Sequence, residues 1–121
     1  MKTILLVEDD PFLIDIYSSK LKEGGFEVDL AGNGEISMER IKEKRPDLIL
    51  LDLVLPHVDG WEVLKTIRAD AKLSAVPVVI FSNLGQKSDI DKGMELGATK
   101  YLIKAQYTPS EVVEEIKKIL K

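Results

Sequence analysis

Cysteine is missing from this 121-residue chain. Its absence excludes a disulfide framework, a thiolate zinc site and a cysteine nucleophile. Histidine occurs once, at His57, which rules out a multi-histidine metal cluster and leaves a Ser-His-Asp triad little to build on. A basic excess is also lacking. Lys and Arg number 17 against 21 Asp and Glu, a net charge of −4, whereas an extended nucleic-acid surface needs a positive balance. No apolar run approaches the roughly 18 residues of a membrane span, and no signal peptide is visible. The expectation is a cytoplasmic protein that neither enters a membrane nor binds nucleic acid directly. Repeats, low-complexity tracts and linkers are absent too. The length suits one domain with a real core.

What the chain does contain is an alternation. Short apolar runs stand at Thr3–Val7, Phe26–Leu30, Leu48–Leu51, Val76–Phe81 and Lys100–Ile103. Continuous apolar runs of this length fit strands buried on both faces of a parallel sheet. The second run alternates apolar with charged residues, as an edge strand does.

Helical spacing fills the gaps. Leu13, Ile16, Tyr17 and Leu21 share one face before Gly24-Gly25, a helix stop. A second helix starts near Asn33, carries Ile36 and Ile41, and ends before Pro46. Asp59 and Glu62 have capping-box spacing ahead of Val63, Leu64 and Ile67. A fourth helix runs from about Ser88 to Leu96, with Gly97 at its stop. The fifth has Thr108 as N-cap, Pro109 at the first helical position and Glu111 at the third, then a stripe of Val112, Val113, Ile116, Ile119 and Leu120. The pattern predicts an α/β fold, a (βα)5 flavodoxin-like three-layer sandwich with a five-stranded parallel sheet in the order 2-1-3-4-5.

Ligands of such sheets bind beyond the carboxyl ends of the strands, so those ends carry the functional candidates. Strand one is followed by Glu8, Asp9 and Asp10, strand three by Asp52, strand four by Ser82 and strand five by Lys104. Strands one and three are neighbours in the expected order, so their carboxylates share a pocket. Clustered carboxylates stay ionised beside a hard cation such as Mg²⁺. A hydroxyl and an amine opposite them suit the oxygens of a phosphoryl group. Asp10 precedes Pro11 and reads as the N-cap of helix one instead.

The stretches "ILLVEDD", "PDLILLDLVLPHVDGWEVL", "VPVVIFS" and "GATKYLIK" resemble the receiver domain of two-component response regulators over the whole chain. The separations agree: 43 residues from Asp9 to Asp52, 30 from Asp52 to Ser82 and 52 from Asp52 to Lys104. The resemblance implies a phosphorylation-dependent signalling switch rather than an enzyme. Asp52 would accept a phosphoryl group from a sensor histidine kinase or histidine phosphotransfer protein. Glu8, Asp9, Asp52 and the backbone carbonyl of Val54 would hold Mg²⁺. Ser82 would be the switch hydroxyl, and Lys104 would pair with Asp52 and then with the phosphoryl group. Tyr101 would be the switch aromatic. The readout face would be helix four, strand five and helix five, acting on a downstream protein target as a monomer or phosphorylation-dependent homodimer. Residues 1–121 are expected to form a single receiver domain without an output domain.

Some positions depart from the family pattern. Ala105 replaces the usual proline after the lysine, so a trans Lys104–Ala105 bond is expected. Asn83 follows Ser82 where a small residue is usual. Val54 and Leu84 are apolar at positions flanking the path of a hydrolytic water, which implies slow self-dephosphorylation. His57 reads as a solvated loop residue and Trp61 as a packing residue near the pocket. Three other readings stay open. A haloacid-dehalogenase-type phosphatase would need an aspartate at the position of Val54. A nucleotide or flavin module would want a glycine-rich or hydroxyl-rich first loop. The remaining reading is a receiver-like adaptor that signals without phosphorylation.

Overall fold

The computed structural model describes all 121 residues, Met1–Lys121. Five strands, β1 (Thr3–Val7), β2 (Glu27–Ala31), β3 (Leu48–Leu51), β4 (Val78–Ser82) and β5 (Lys100–Ile103), alternate with five helices. The helices are α1 (Pro11–Glu23), α2 (Gly34–Glu43), α3 (Gly60–Ala69), α4 (Lys87–Glu95) and α5 (Pro109–Ile119). All strand pairs are parallel and the order is β2-β1-β3-β4-β5, as the alternation of runs predicts. No helix is long and apolar enough to cross a membrane.

Successive strand residues face opposite sides, and this splits the core in two. Leu5, Val7, Ile49, Leu51, Val78 and Ile80 pack with Ile41 of α2 and Val63, Leu64 and Ile67 of α3. Ile4, Leu6, Leu48, Leu50, Val79, Phe81 and Leu102 pack with Tyr17 and Leu21 of α1 and Val112, Val113 and Ile116 of α5. β1, β3 and β4 are buried throughout, which explains their unbroken apolar runs. β2 keeps one edge free, and Leu30 is exposed there.

Capping chemistry follows the sequence closely. The side chains of Asp10, Asn33, Asp59 and Thr108 accept hydrogen bonds from the amides of Phe12, Ile36, Glu62 and Glu111. Glu111 returns the favour to the Thr108 amide, completing a capping box. Glu62 does not; it pairs with Lys65 instead.

Several boundaries differ from the sequence reading, each for a local reason. The fourth strand starts at Val78 rather than Val76, because Val76 donates its amide to Leu73 in a turn and Pro77 has no amide to give. The second starts at Glu27, because the Phe26 amide is spent closing α1 on the Leu21 carbonyl. α4 begins at Lys87 after Gln86, whose amide donates to Asp89. On α2 the buried face is Gly34, Ser37 and Ile41, which leaves Ile36 exposed. Ile16 is likewise exposed, and Ile119 and Leu120 are half-buried.

Candidate functional site

Strand register assembles the site. Val7 pairs with Leu51, so Glu8 and Asp52 leave the sheet side by side, and the Asp52 amide donates to the Val7 carbonyl at 3.0 Å. Ser82 pairs with Ile103, which puts Lys104 one residue beyond it. Gly60 holds the next segment in place. Its amide donates to the Leu53 carbonyl at 2.9 Å, and a Cβ at this position would lie 2.3 Å from the Asp52 carbonyl oxygen. Only glycine lets α3 begin this close to the end of β3.

Lys104 is the centre of the cluster. Its Nζ lies 2.7 Å from Glu8 Oε1 and 2.8 Å from Asp52 Oδ2. Its ammonium also stands 5.8 Å from the Phe81 ring centroid, and Tyr17 braces that ring edge-on at 4.9 Å. Glu8 and Asp52 are both buried, at 2% and 6% exposure. Asp9 sits on the exposed rim, and one oxygen each from Glu8, Asp9 and Asp52 falls within 4.8 Å of the others.

The electrostatics are unbalanced. Burial pushes the Glu8 carboxyl above its ordinary value, and the Asp52 charge adds to the push; Lys104 opposes both without prevailing. For Lys104, burial acts against the charged form, but hydrogen bonds to Asp52 and Glu8 outweigh it and raise its pKa. Three carboxylates face one ammonium, so two negative charges remain uncompensated. An all-oxygen donor set with that residual charge fits a hard divalent cation such as Mg²⁺.

The remaining candidates lie around this centre. Ser82 is fully buried; its Oγ accepts from the Leu84 amide at 3.3 Å and makes no hydrogen bond to Asp52 or Lys104. Its own hydroxyl proton is therefore free to be donated. The Tyr101 hydroxyl donates to the Leu84 carbonyl, and its ring packs on Gly93 of α4. Val54 donates its amide to Asp52 Oδ1 at 3.3 Å, and its side chain is exposed. Asp10 caps α1 and takes no part in the acid cluster except through its amide, which donates to Glu8. His57 is exposed, at a positive φ of 67°. The chain holds no cis peptide bond, in line with Ala105 after Lys104, and residues Lys104–Gln106 form a 3₁₀ turn.

Two features escaped the sequence reading. The Lys104–Glu8 bond needs the register of β1 against a strand three places away in the sheet, which no local pattern announces. Gly60 carried a signal, a glycine next to an N-cap, but its contact with the Asp52 backbone is tertiary. Surface depressions of about 160–430 Å³ lie between α1 and α5, along β2 and between the end of α2 and the segment after α3. None is lined by Glu8, Asp9, Asp52, Ser82 or Lys104.

The chain is similar to known proteins in sequence and in fold. The family model for the response regulator receiver domain matches residues 4–117. MtrA, a DNA-binding response regulator of Mycolicibacterium smegmatis, is 37% identical over 114 residues, covering 94% of this chain and 48% of its own length. RpaA of Synechocystis, a DNA-binding transcriptional regulator, is 35% identical over 121 residues, covering 100% and 50%. This chain thus spans about half the length of the curated relatives it matches. Among solved structures, the Mn²⁺-bound response regulator Rcp1 superposes with a TM-score of 0.89 at 30% identity, covering 99% of this chain and 94% of its own. The BeF3-activated N-terminal receiver domain of RstA from Klebsiella pneumoniae gives 0.91 at 27% identity, covering 99% of both chains.

Proposed function

The chain belongs to the response regulator receiver family, and from that premise we propose that Asp52 is the phosphoacceptor of a signalling switch. One observation carries the reading: a buried Asp52 carboxylate held at 2.8 Å by Lys104 beside two further acids. An Asp52 oxygen attacks the phosphorus of a phosphohistidine on a sensor kinase or phosphotransfer protein. The P–N bond breaks and the imidazole leaves with its electron pair, taking up a proton. Attack requires an oriented carboxylate, and the hydrogen bond donated by Lys104 at 2.8 Å fixes its orientation.

Glu8, Asp9, Asp52 and the Val54 carbonyl would hold Mg²⁺, which when bound offsets the charge of the acids and of the incoming phosphoryl oxygens. Lys104 stays in reach of Asp52 and donates to a phosphoryl oxygen. Ser82 turns its free hydroxyl proton toward another. The modification adds about −1.5 to −2 charges, so conformations in which these donors reach the phosphoryl group become favoured. The Leu84 carbonyl holds Tyr101, and the Leu84 amide holds Ser82. Movement of this loop therefore reaches Tyr101 and the α4–β5–α5 face, where a downstream protein or a second copy of the chain reads the state. DNA binding, named for MtrA and RpaA, is assigned here to no surface of this receiver domain.

Incubation with acetyl phosphate and Mg²⁺, followed by intact mass, tests the reading. One phosphoryl mass is gained, and Asp52→Asn gains none. An unmodified wild-type mass would favour the adaptor that signals without phosphorylation.

A further inference from the structure

Among the five helices, α4 is the most weakly seated. Gly93 is its sole buried residue, and Met94 beside it is 46% exposed. Elements with so little buried surface lie at the low-stability end of a fold and open first. Ile80 of β4 and Tyr101 of β5 meet α4 at Gly93, and Trp61 of α3 meets it through Lys92. Tyr101 of β5 packs its ring on Gly93, where an added Cβ would stand 3.0 Å from the ring. Lys92 extends its Nζ over the Trp61 ring of α3, 4.4 Å from the centroid.

The Lys92 contact is selective. Asp89, Asp91 and Glu95 share its helix, yet Lys92 forms no ion pair. Asp91 is taken by Lys87 at 3.2 Å and Asp89 by the Gln86 amide. The opposite end of the contact is anchored near the chemistry. Trp61 directly follows Gly60, which is wedged against the Asp52 and Leu53 backbone and bonded to the Leu53 carbonyl. A physical chain therefore runs from the Asp52 segment through Gly60 and Trp61 to Lys92. It involves neither Ser82 nor Tyr101.

We propose that Trp61 and Lys92 form a tether that biases α4 toward its observed position and couples that helix to the segment carrying Asp52. The signalling consequence rests on the phosphoacceptor reading above; the tether does not. A cation over an indole at an exposed site shifts a two-state equilibrium about two- to fivefold. That is enough to tune an element this loosely packed and too little to unfold the domain.

Lys92→Met and Lys92→Arg in the full chain test the tether. Met and Arg resemble Lys in helix propensity, and Arg keeps the cation. In the unphosphorylated protein, Lys92→Met should speed amide hydrogen exchange in α4 about two- to fivefold while sheet amides stay unchanged. Lys92→Arg should retain wild-type exchange. Fluorescence of Trp61, the only tryptophan, should change in the Met variant and not in the Arg variant. Unchanged α4 exchange in Lys92→Met, equal behaviour of the two variants, or acceleration throughout the sheet would overturn the tether. Titration with beryllofluoride and Mg²⁺ tests the coupling: the Met variant should reach half-saturation at a concentration lower by a similar factor. A shifted exchange rate with an unshifted midpoint overturns the coupling alone. Failure of the wild type to bind beryllofluoride counts against the phosphoacceptor reading, while the exchange measurement still judges the tether.

Discussion

The Lys104 ammonium is 2.7 Å from the Glu8 carboxylate, and their side chains keep only 12% and 3% of their surface. Asp52 shares the same ammonium, so one cation serves two buried acids. Breaking a buried pair by removing one partner leaves uncompensated charge and costs about 3–5 kcal/mol. Lys104→Met is therefore expected to lose stability on that scale in urea denaturation with chelator present, and excess Mg²⁺ should recover part of it. The Glu8 pKa is already raised by burial, and losing Lys104 raises it further. A protonated Glu8 needs no counter-charge, so the deficit of the variant should shrink as pH falls. A deficit that grows on acidification would contradict this account.

Asp9 and Asp10 are adjacent yet should fail in different assays. Asp9 belongs to the acid cluster, and Asp10 accepts from the Phe12 amide at the start of α1. Asp9→Ala should abolish Mg²⁺-dependent phosphorylation with little change in melting. Asp10→Ala should cost about 1 kcal/mol of stability and still gain one phosphoryl mass.

Gly60 has no tolerance for a side chain, because the obstructing atoms are backbone: the Asp52 oxygen at 2.3 Å and the Leu53 Cα at 2.5 Å. Gly60→Ala must lift α3 from β3, at a cost of about 3 kcal/mol or more, and should slow phosphorylation by moving the Asp52 segment. Gly32 has open space where its Cβ would be. Gly32→Ala is the control, with chevron and labelling rates close to wild type.

Burial pushes the Tyr101 phenol up to about 12, with the charges of Asp89 and Asp52 adding to the effect. A raised folded pKa contributes stability that is complete below the unfolded value and disappears as pH rises through the folded one. Stability should therefore decline between pH 10.0 and about 12, and Tyr101→Phe should flatten that decline. Difference absorbance of phenolate against Tyr101→Phe reads the titration directly; ionisation of Tyr101 near the ordinary phenol value would refute the prediction.

Much of the architecture was legible because it rests on local chemistry. Three strands, Thr3–Val7, Leu48–Leu51 and Lys100–Ile103, have the bounds that their apolar runs suggest. Helix starts at Asp10, Asn33, Asp59 and Thr108 follow from side chains that bond amides two or three residues on. The misplacements had non-local or competing causes. Phe26 looks like a strand residue, but its amide closes the preceding helix. Ile36 fits a helical stripe, but the face the helix buries is that of Gly34, Ser37 and Ile41.

Sequence alone determined the alternation of elements, the strand order and the set of side chains at the strand ends, because period, capping and crossover rules act over short stretches of chain. Tertiary structure alone decided how those side chains meet. It gave one lysine to Glu8 as well as Asp52, tied Tyr101 and Ser82 to the two sides of Leu84, and set Lys92 over Trp61. The bond from the Arg68 guanidinium to the carbonyl of Gly97, 29 residues away, is of the same kind. Each contact joins residues brought near by sheet register and helix packing, and their separation along the chain leaves no periodic trace.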